Sequence, residues 1–225
     1  GYSYCKGGIM ATNDQWRQPL NVWRRYFDQW IEKPNPTTLL NSCIFFDLDG
    51  VFGQLELVQE LKILCARKSS AHPVFLSAMA RIALDRTPPL GFFRTFVVET
   101  DGQHKRIINL KGRGTAPLTD LIRIHALACG STAQNSFDRM DAIASSNVIP
   151  PEGLKQLRYA LEFLSMVRIR HQADALEQGA ALNNYVEPER FSNSERRNLK
   201  EAFQVLSNGQ NFLRFRYPPK GRLAS

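Results

Sequence analysis

Ser42-Cys43-Ile44-Phe45-Phe46-Asp47-Leu48-Asp49-Gly50-Val51-Phe52-Gly53 is the stretch on which the reading of this chain turns. A short apolar run, Ile44 to Phe46, delivers an aspartate at its end. A second aspartate follows two residues later, then a glycine turn. Read as a buried strand, the segment predicts two fixed carboxylates, Asp47 and Asp49. Hard oxygen ligands held this way suit Mg²⁺, and magnesium points to phosphate chemistry. The plain structural alternative is an aspartate that ends an edge strand and starts a turn.

The rest of the sequence bounds that reading. A length of 225 residues holds one large domain or two small ones. The formal net charge of +8 suggests an anionic ligand or a basic surface. The positive charge is spread over many segments, whereas nucleic-acid binding favours a concentrated stripe. No membrane span is expected, because no run of 18 apolar residues occurs. No signal peptide is evident. Cys5, Cys43, Cys65 and Cys129 are too scattered for a CxxC metal site and fit a reducing cytoplasm. The start at Gly1, without a methionine, is what a piece of a longer protein or a tag scar would show.

Periodicity predicts an α+β fold that is predominantly helical. A helix is expected from about 13 to 31, where Trp16, Leu20, Trp23, Phe27 and Trp30 recur every three or four residues. A short helix from Asn35-Pro36 leads to the Asp47 strand, and another helix follows over 54–68. Ser69 to Pro73 is the expected domain boundary. Beyond it come a helix over 74–85 and a β-hairpin of 92–99 and 104–110 about Thr100-Asp101-Gly102-Gln103. Helices are then expected near 116–129, 133–145, 151–178 and 193–214, with a disordered tail over 218–225.

Several residues invite chemistry. Lys111-Gly112-Arg113-Gly114-Thr115 runs from a predicted strand into a predicted helix N-terminus, with Thr115 as N-cap. Free N–H groups, two glycines and two cations there would make an anion site or, equally, a solvated basic loop. On the helix over 151–178, Leu154, Leu157, Leu161 and Leu164 set a stripe that continues to Arg168 and His171 or Gln172. Arg168 therefore falls where a buried residue is expected and needs a partner or a ligand. His125 shares a face with Leu118, Leu121 and Ile122 and reads as a satisfied core or cleft-edge histidine. Trp16, Trp23 and Trp30 repeat every seven residues and read as packing or docking residues. Lys6-Gly7-Gly8 is a weaker candidate for a phosphate-touching turn.

Two resemblances follow. The Asp47 segment resembles the first motif of haloacid-dehalogenase-type phosphatases, with Asp47 as nucleophile and Asp49 as acid. Such an enzyme needs strands alternating with helices after that motif, and here a mostly helical region follows. A set of segments resembles a different family, the nucleotidyltransferases of bacterial signalling proteins, distant relatives of the PII-protein uridylyltransferases. The segments are Tyr4 to Asn13 with Trp16, Ile44 to Asp47, Pro89 to Phe93, Asn109 to Gly114, Arg168-x-Arg170-His171-Gln172, and Arg196-Arg197-x-Leu199-Lys200-Glu201-Ala202-Phe203. They span nearly the whole chain in that family's order.

The second resemblance implies that residues 1–70 are the back half of a nucleotidyltransferase-like α/β domain and that 73–217 form its helical substrate-binding domain. It implies nucleotidyl transfer from a Mg²⁺–nucleoside triphosphate to an acceptor, which in the uridylyltransferases is a protein. Asp47 would be the catalytic metal carboxylate, with Asp49 beside it. Lys111, Arg113, Arg168, His171 and Lys6 would meet the nucleotide and its phosphates. Upstream CBS or cyclic-nucleotide-binding modules are expected. The family's Gly-Ser turn with its own Asp-x-Asp pair does not occur in the sequence, and Asp49 stands where the family usually has a basic residue. The chain by itself is therefore expected not to catalyse transfer, and Mg²⁺ is expected only with a complete catalytic domain. A non-catalytic nucleotide- or protein-binding regulatory module is the alternative.

Overall fold

Capping chemistry sets several of the helix boundaries. In a computed structural model that describes residues 4–91, 95–100 and 106–218, helix α1 spans Leu20–Glu32 and α2 spans Pro36–Phe45. Asn35 starts α2 through a capping box: its side chain accepts from the Thr38 N–H at 3.0 Å, and its own N–H donates to Thr38 Oγ1 at 2.8 Å. Pro36 occupies the first helical position, where a missing N–H costs nothing. Helix α3 spans Leu55–Ser70 and α4 spans Pro73–Leu84; His72 Nδ1 accepts from the Phe75 N–H at the start of α4.

A small sheet separates these helices from the rest. Strand β1 is Glu99–Thr100 and β2 is Arg106–Asn109, antiparallel, with Glu99 opposite Ile107. The hairpin turn expected over 101–103, part of the strand expected from 92, and the tail beyond 218 lie outside the described residues. A single π-helical turn over Lys111–Thr115 then enters α5, Ala116–Ala128. Helices α6, Ser136–Ser146, and α7, Pro151–Glu177, follow. Strand β3, Tyr185–Val186, pairs antiparallel with β2, so the sheet order is β1-β2-β3. Helix α8, Asn193–Arg216, starts with a Ser192/Glu195 capping box. No helix among the described residues is long and apolar enough to cross a membrane.

The fold is thus α+β and predominantly helical, but the segment on which the sequence reading turned is not a strand. Ile44 and Phe45 end α2, and Asp47 lies in the turn after it. The preceding Pro-Thr-Thr-Leu-Leu-Asn carries a strong N-terminal signal, and the helix it starts runs on through the apolar run. Helix α1 begins at Leu20 rather than near 13, because Pro19 is held extended at ψ 156° and precedes the helix. Trp16 therefore sits in the loop before α1, where its ring packs 4.4 Å from Phe45 and its indole N–H donates to the Gly8 carbonyl.

Two apolar clusters share α5. Leu118, Leu121 and Ile122 pack with Leu157, Leu161, Leu164, Phe203 and Leu206 of α7 and α8. Ile124 and Leu127 pack with Phe27, Trp30, Leu39, Leu61 and Phe75 of α1 to α4. A helix buried on all sides is a central element. The expected boundary at 69–73 is a turn between α3 and α4, yet the second cluster runs across it.

Gln210 on α8, only 4% exposed, fastens the end of α4: its Nε2 donates to the carbonyls of Ala83 at 3.1 Å and Arg86 at 2.8 Å. The last carbonyls of a helix have no partner within it, so this side chain serves as a cap supplied from another helix. Gln210→Leu leaves those carbonyls unpaired and is expected to cost about 1–3 kcal/mol. A denaturant midpoint lowered at unchanged slope would register that loss.

Candidate functional site

A groove forms where the C-terminal end of α7 meets the loop that leads back through β3 to α8. Val167, Arg170, His171 and Asp174 supply one wall, and Asn183, Glu187, Arg190 and Glu195 the other. This cavity measures about 500 Å³. A second, of about 590 Å³, adjoins it and is lined by Glu99, Thr100, Ile107 and Tyr185. His171, Asn183, Glu187 and Arg190 belong to both. These volumes match the usual size of a small-molecule site.

The polar groups of the groove hold one another in place. His171 Nε2 lies 3.1 Å from Asn183 Oδ1, and the Asn183 oxygen also accepts from the Tyr185 N–H at 2.9 Å. Arg170 pairs with Glu195 at 3.1 Å, and Arg190 with Glu187 at 2.9 Å. The Glu195 carboxyl is held below its ordinary pKa by the Ser192 backbone N–H first, then by the Ser192 hydroxyl and the charge of Arg170. Sequence reasoning found His171 and missed Asn183 and Arg190. The signal was available in a polar loop that returns to a helix already bearing Arg170 and His171.

The other expected phosphate residues scatter. Arg168 is half-buried on α7, with Nη1 3.3 Å from Thr115 Oγ1; its Nε is enclosed without a hydrogen-bond partner among the described residues. Arg113 donates to the carbonyls of Thr87 at 3.2 Å and Val97 at 3.4 Å and comes within 3.9 Å of Glu99 on the rim of the second cavity. Lys111 and Lys6 are exposed and line neither cavity.

The 111–115 segment is not the open helix N-terminus that its sequence predicts. The helical backbone already begins at Leu110, whose N–H donates to the Asn184 carbonyl at 2.9 Å. Asn109 caps the turn by accepting from the Gly112 N–H at 2.7 Å. Thr115 is helical and buried and makes no cap. Gly114 serves packing, since a Cβ there would stand 3.3 Å from Leu164 and Phe203.

Asp47 is clamped. Arg123 on α5 grips it as a fork, Nε to Oδ1 at 3.4 Å and Nη2 to Oδ2 at 2.6 Å. Arg139 on α6 donates Nη2 to Oδ1. Gln134 donates to the backbone carbonyls of Asp47 and Leu48. Asp120 holds the free arm of Arg123 at 2.6 Å. The arginine side chains are 8% and 3% exposed, and Asp47 is 32% exposed. Burial by itself would raise the Asp47 pKa, but the hydrogen bonds and charges of Arg123 and Arg139 outweigh it and hold the carboxyl below its ordinary value. Burial opposes the charge on both arginines; Arg123, with two carboxylates, is raised overall, while Arg139 is drawn down. Both stay protonated wherever the protein is folded.

The residues present do not make a Mg²⁺ site. Both Asp47 oxygens face guanidinium groups, and Asp49 turns elsewhere, toward Lys62 at 3.6 Å. No group of three His, Cys, Asp or Glu side chains among the described residues could hold a metal ion. Burial pushes the Cys43 thiol up to about 11 and the Cys65 thiol to about 12, so neither is ionised at neutral pH.

His125 departs from its expected satisfied state. It is fully buried, and neither ring nitrogen has a hydrogen-bond partner among the described residues.

Removing Asp47 leaves two buried cations without their main partner. Asp47→Ala is expected to cost about 3 kcal/mol, a loss of roughly 6–12 °C in Tm for a chain of this size. Because the folded pKa is depressed, the carboxylate's contribution is complete above its ordinary value of 3.8 and vanishes as pH falls below it toward the folded value. The gap between the urea midpoints of wild type and variant should therefore be constant from pH 6 to about 4 and narrow as pH falls further.

Comparison with known proteins matches two family descriptions to the chain. A family described as "Putative nucleotidyltransferase substrate binding domain" matches residues 73–217, more than half of the chain. A second, described as "Putative nucleotidyltransferase DUF294", matches residues 1–37. No curated protein and no solved structure matches. The start of the longer match coincides with Pro73, the first residue of α4. The chain belongs to the nucleotidyltransferase substrate-binding-domain family.

Proposed function

We propose that this chain is the substrate-binding portion of a nucleotidyltransferase and that its groove at His171 seats a Mg²⁺–nucleoside triphosphate for transfer to an acceptor. The observation that carries this reading is the meeting of two cavities at His171, Asn183 and Arg190. Charge supports the metal complex over the bare nucleotide. Arg170 and Arg190 share the groove with Asp174, Glu187 and Glu195, and Glu99 stands on its rim. A bare polyanion meets repulsion there, which a bound divalent cation relieves. His171 and Asn183 hydrogen-bond the ligand, and the arginines orient its phosphates. The carboxylates that transfer requires come from a complete catalytic domain, and the acceptor is a protein, in a cytoplasmic signalling protein with upstream regulatory modules.

The clamp on Asp47 favours a second reading, a module that binds without turnover. An aspartate held by two arginines is not free to take part in chemistry.

A thermal-shift titration with ATP, UTP, GTP and CTP, with and without Mg²⁺, tests the first reading. A ligand at 100 times its Kd should stabilise by about 2.7 kcal/mol. The expected result is a Mg²⁺-dependent shift selective for one base and lost in His171→Ala. A flat response to all four nucleotides would sink the nucleotide seat. Pyrophosphate release by this chain alone, lost in Asp47→Asn, would sink the second reading.

A further inference from the structure

Helix α8 carries Arg196, Arg197 and Lys200 near its start. Residues three and four apart on a helix are neighbours, about 5–6 Å apart at Cβ, so Lys200 stands beside both arginines. With Asn193 and Phe96 the three line a cavity of about 420 Å³, a volume that suits a small-molecule site. None of these residues lines the groove at His171 or the cavity that adjoins it.

The cations are held in place without being neutralised. Arg196 donates Nη2 to Asn193 Oδ1, a neutral amide oxygen, at 2.5 Å. The Lys200 ammonium stands 5.2 Å from the centre of the Phe96 ring, whose face attracts it. Phe96 is itself set edge-on against the buried Phe203. Arg196 and Lys200 are half-buried, and Arg197 is exposed. Among the described residues no carboxylate lines the cavity, and none of the three cations forms an ion pair. Glu195, next to Arg196 in sequence, is taken up by Arg170 and Ser192. Glu201, next to Lys200, is exposed and outside the cavity lining. Surface arginines elsewhere have acidic partners: Arg24 pairs with Glu60, Arg106 with Glu189 and Arg158 with Asp141.

Charge therefore distinguishes this cavity from the groove. The groove mixes arginines with carboxylates, whereas here three neighbouring positive charges repel one another. An anion relieves that repulsion. Guanidinium forks match phosphate oxygens two at a time. One phosphate group carries a charge of about −1.5 to −2 near neutral pH, so two are needed to balance three cations.

We propose that the cavity at Arg196, Arg197 and Lys200 binds the diphosphate group of a small molecule, free or esterified, and needs no metal ion to do so. Calorimetric titration of the full chain at pH 7.5 in EDTA, with inorganic diphosphate and with ADP as probes, tests it. Saturable binding of at least one probe is expected, and the tighter of the two tells the free anion from the ester. Arg197→Ala and Lys200→Ala should each weaken that binding by about tenfold or more. Arg197→Lys, which keeps the charge and loses the fork, should weaken it less than Arg197→Ala. Arg158→Ala removes a positive charge outside the cavity, and His171→Ala alters the groove; each should leave the affinity within about twofold. No saturable binding of either probe would overturn the proposal. So would an equal loss in Arg197→Ala and Arg158→Ala, the mark of general attraction to a basic protein, or a loss in His171→Ala as large as that in Lys200→Ala.

Discussion

Two guanidinium groups are buried on α5 and α6, and the carboxylate they share comes from the turn after α2, 76 and 92 residues earlier in the chain. A buried arginine without a counter-charge is among the most costly arrangements a fold can contain. Arg123 and Arg139 therefore need Asp47, and Asp47 needs the turn after α2 to be where it is. Gln134 reinforces the arrangement by donating to the backbone carbonyls of Asp47 and Leu48. The aspartate that looks at first like a metal ligand is thus the fastening between the first three helices and the helical domain. Its low pKa is the electrostatic signature of that task.

The same demand explains why α5 is unlike the other helices. It touches both apolar clusters, so every face is covered, and a charged side chain on it needs partners from its own turn or from another element. Arg123 is answered by Asp47 and Asp120. His125, two residues on, has no hydrogen-bond partner among the described residues.

Much of this was legible in the sequence because it is local. The Asn35-Pro36-x-Thr38 and Ser192-x-x-Glu195 patterns announce their helices through side chains three residues apart. The leucine stripe of α7 pointed to a buried Arg168, and the structure half-buries it. Other features depended on partners far along the chain. Nothing near Ile44-Phe45-Phe46 says that α2 will absorb the run, since apolar β-formers serve a buried helix end as well as a strand. The arginines that answer Asp47 lie 76 and 92 residues away. The glycines of 111–115 read as freedom to approach a phosphate, whereas at Gly114 the missing Cβ makes room for Leu164 and Phe203. Strand β3, two residues long, exists because β2 offers it an edge.

The first cavity of the groove and the clamp differ in how the chain must come together to make them. Every residue that lines that cavity lies between Val167 and Glu195, so a single hairpin of α7 and α8 suffices to assemble it. Closing so short a loop loses little chain entropy. The clamp waits for Asp47 to find two side chains from distant parts of the sequence. The cavity is thus a product of local sequence, whereas the clamp is a contact of high sequence separation that joins the N-terminal helices to the rest of the fold.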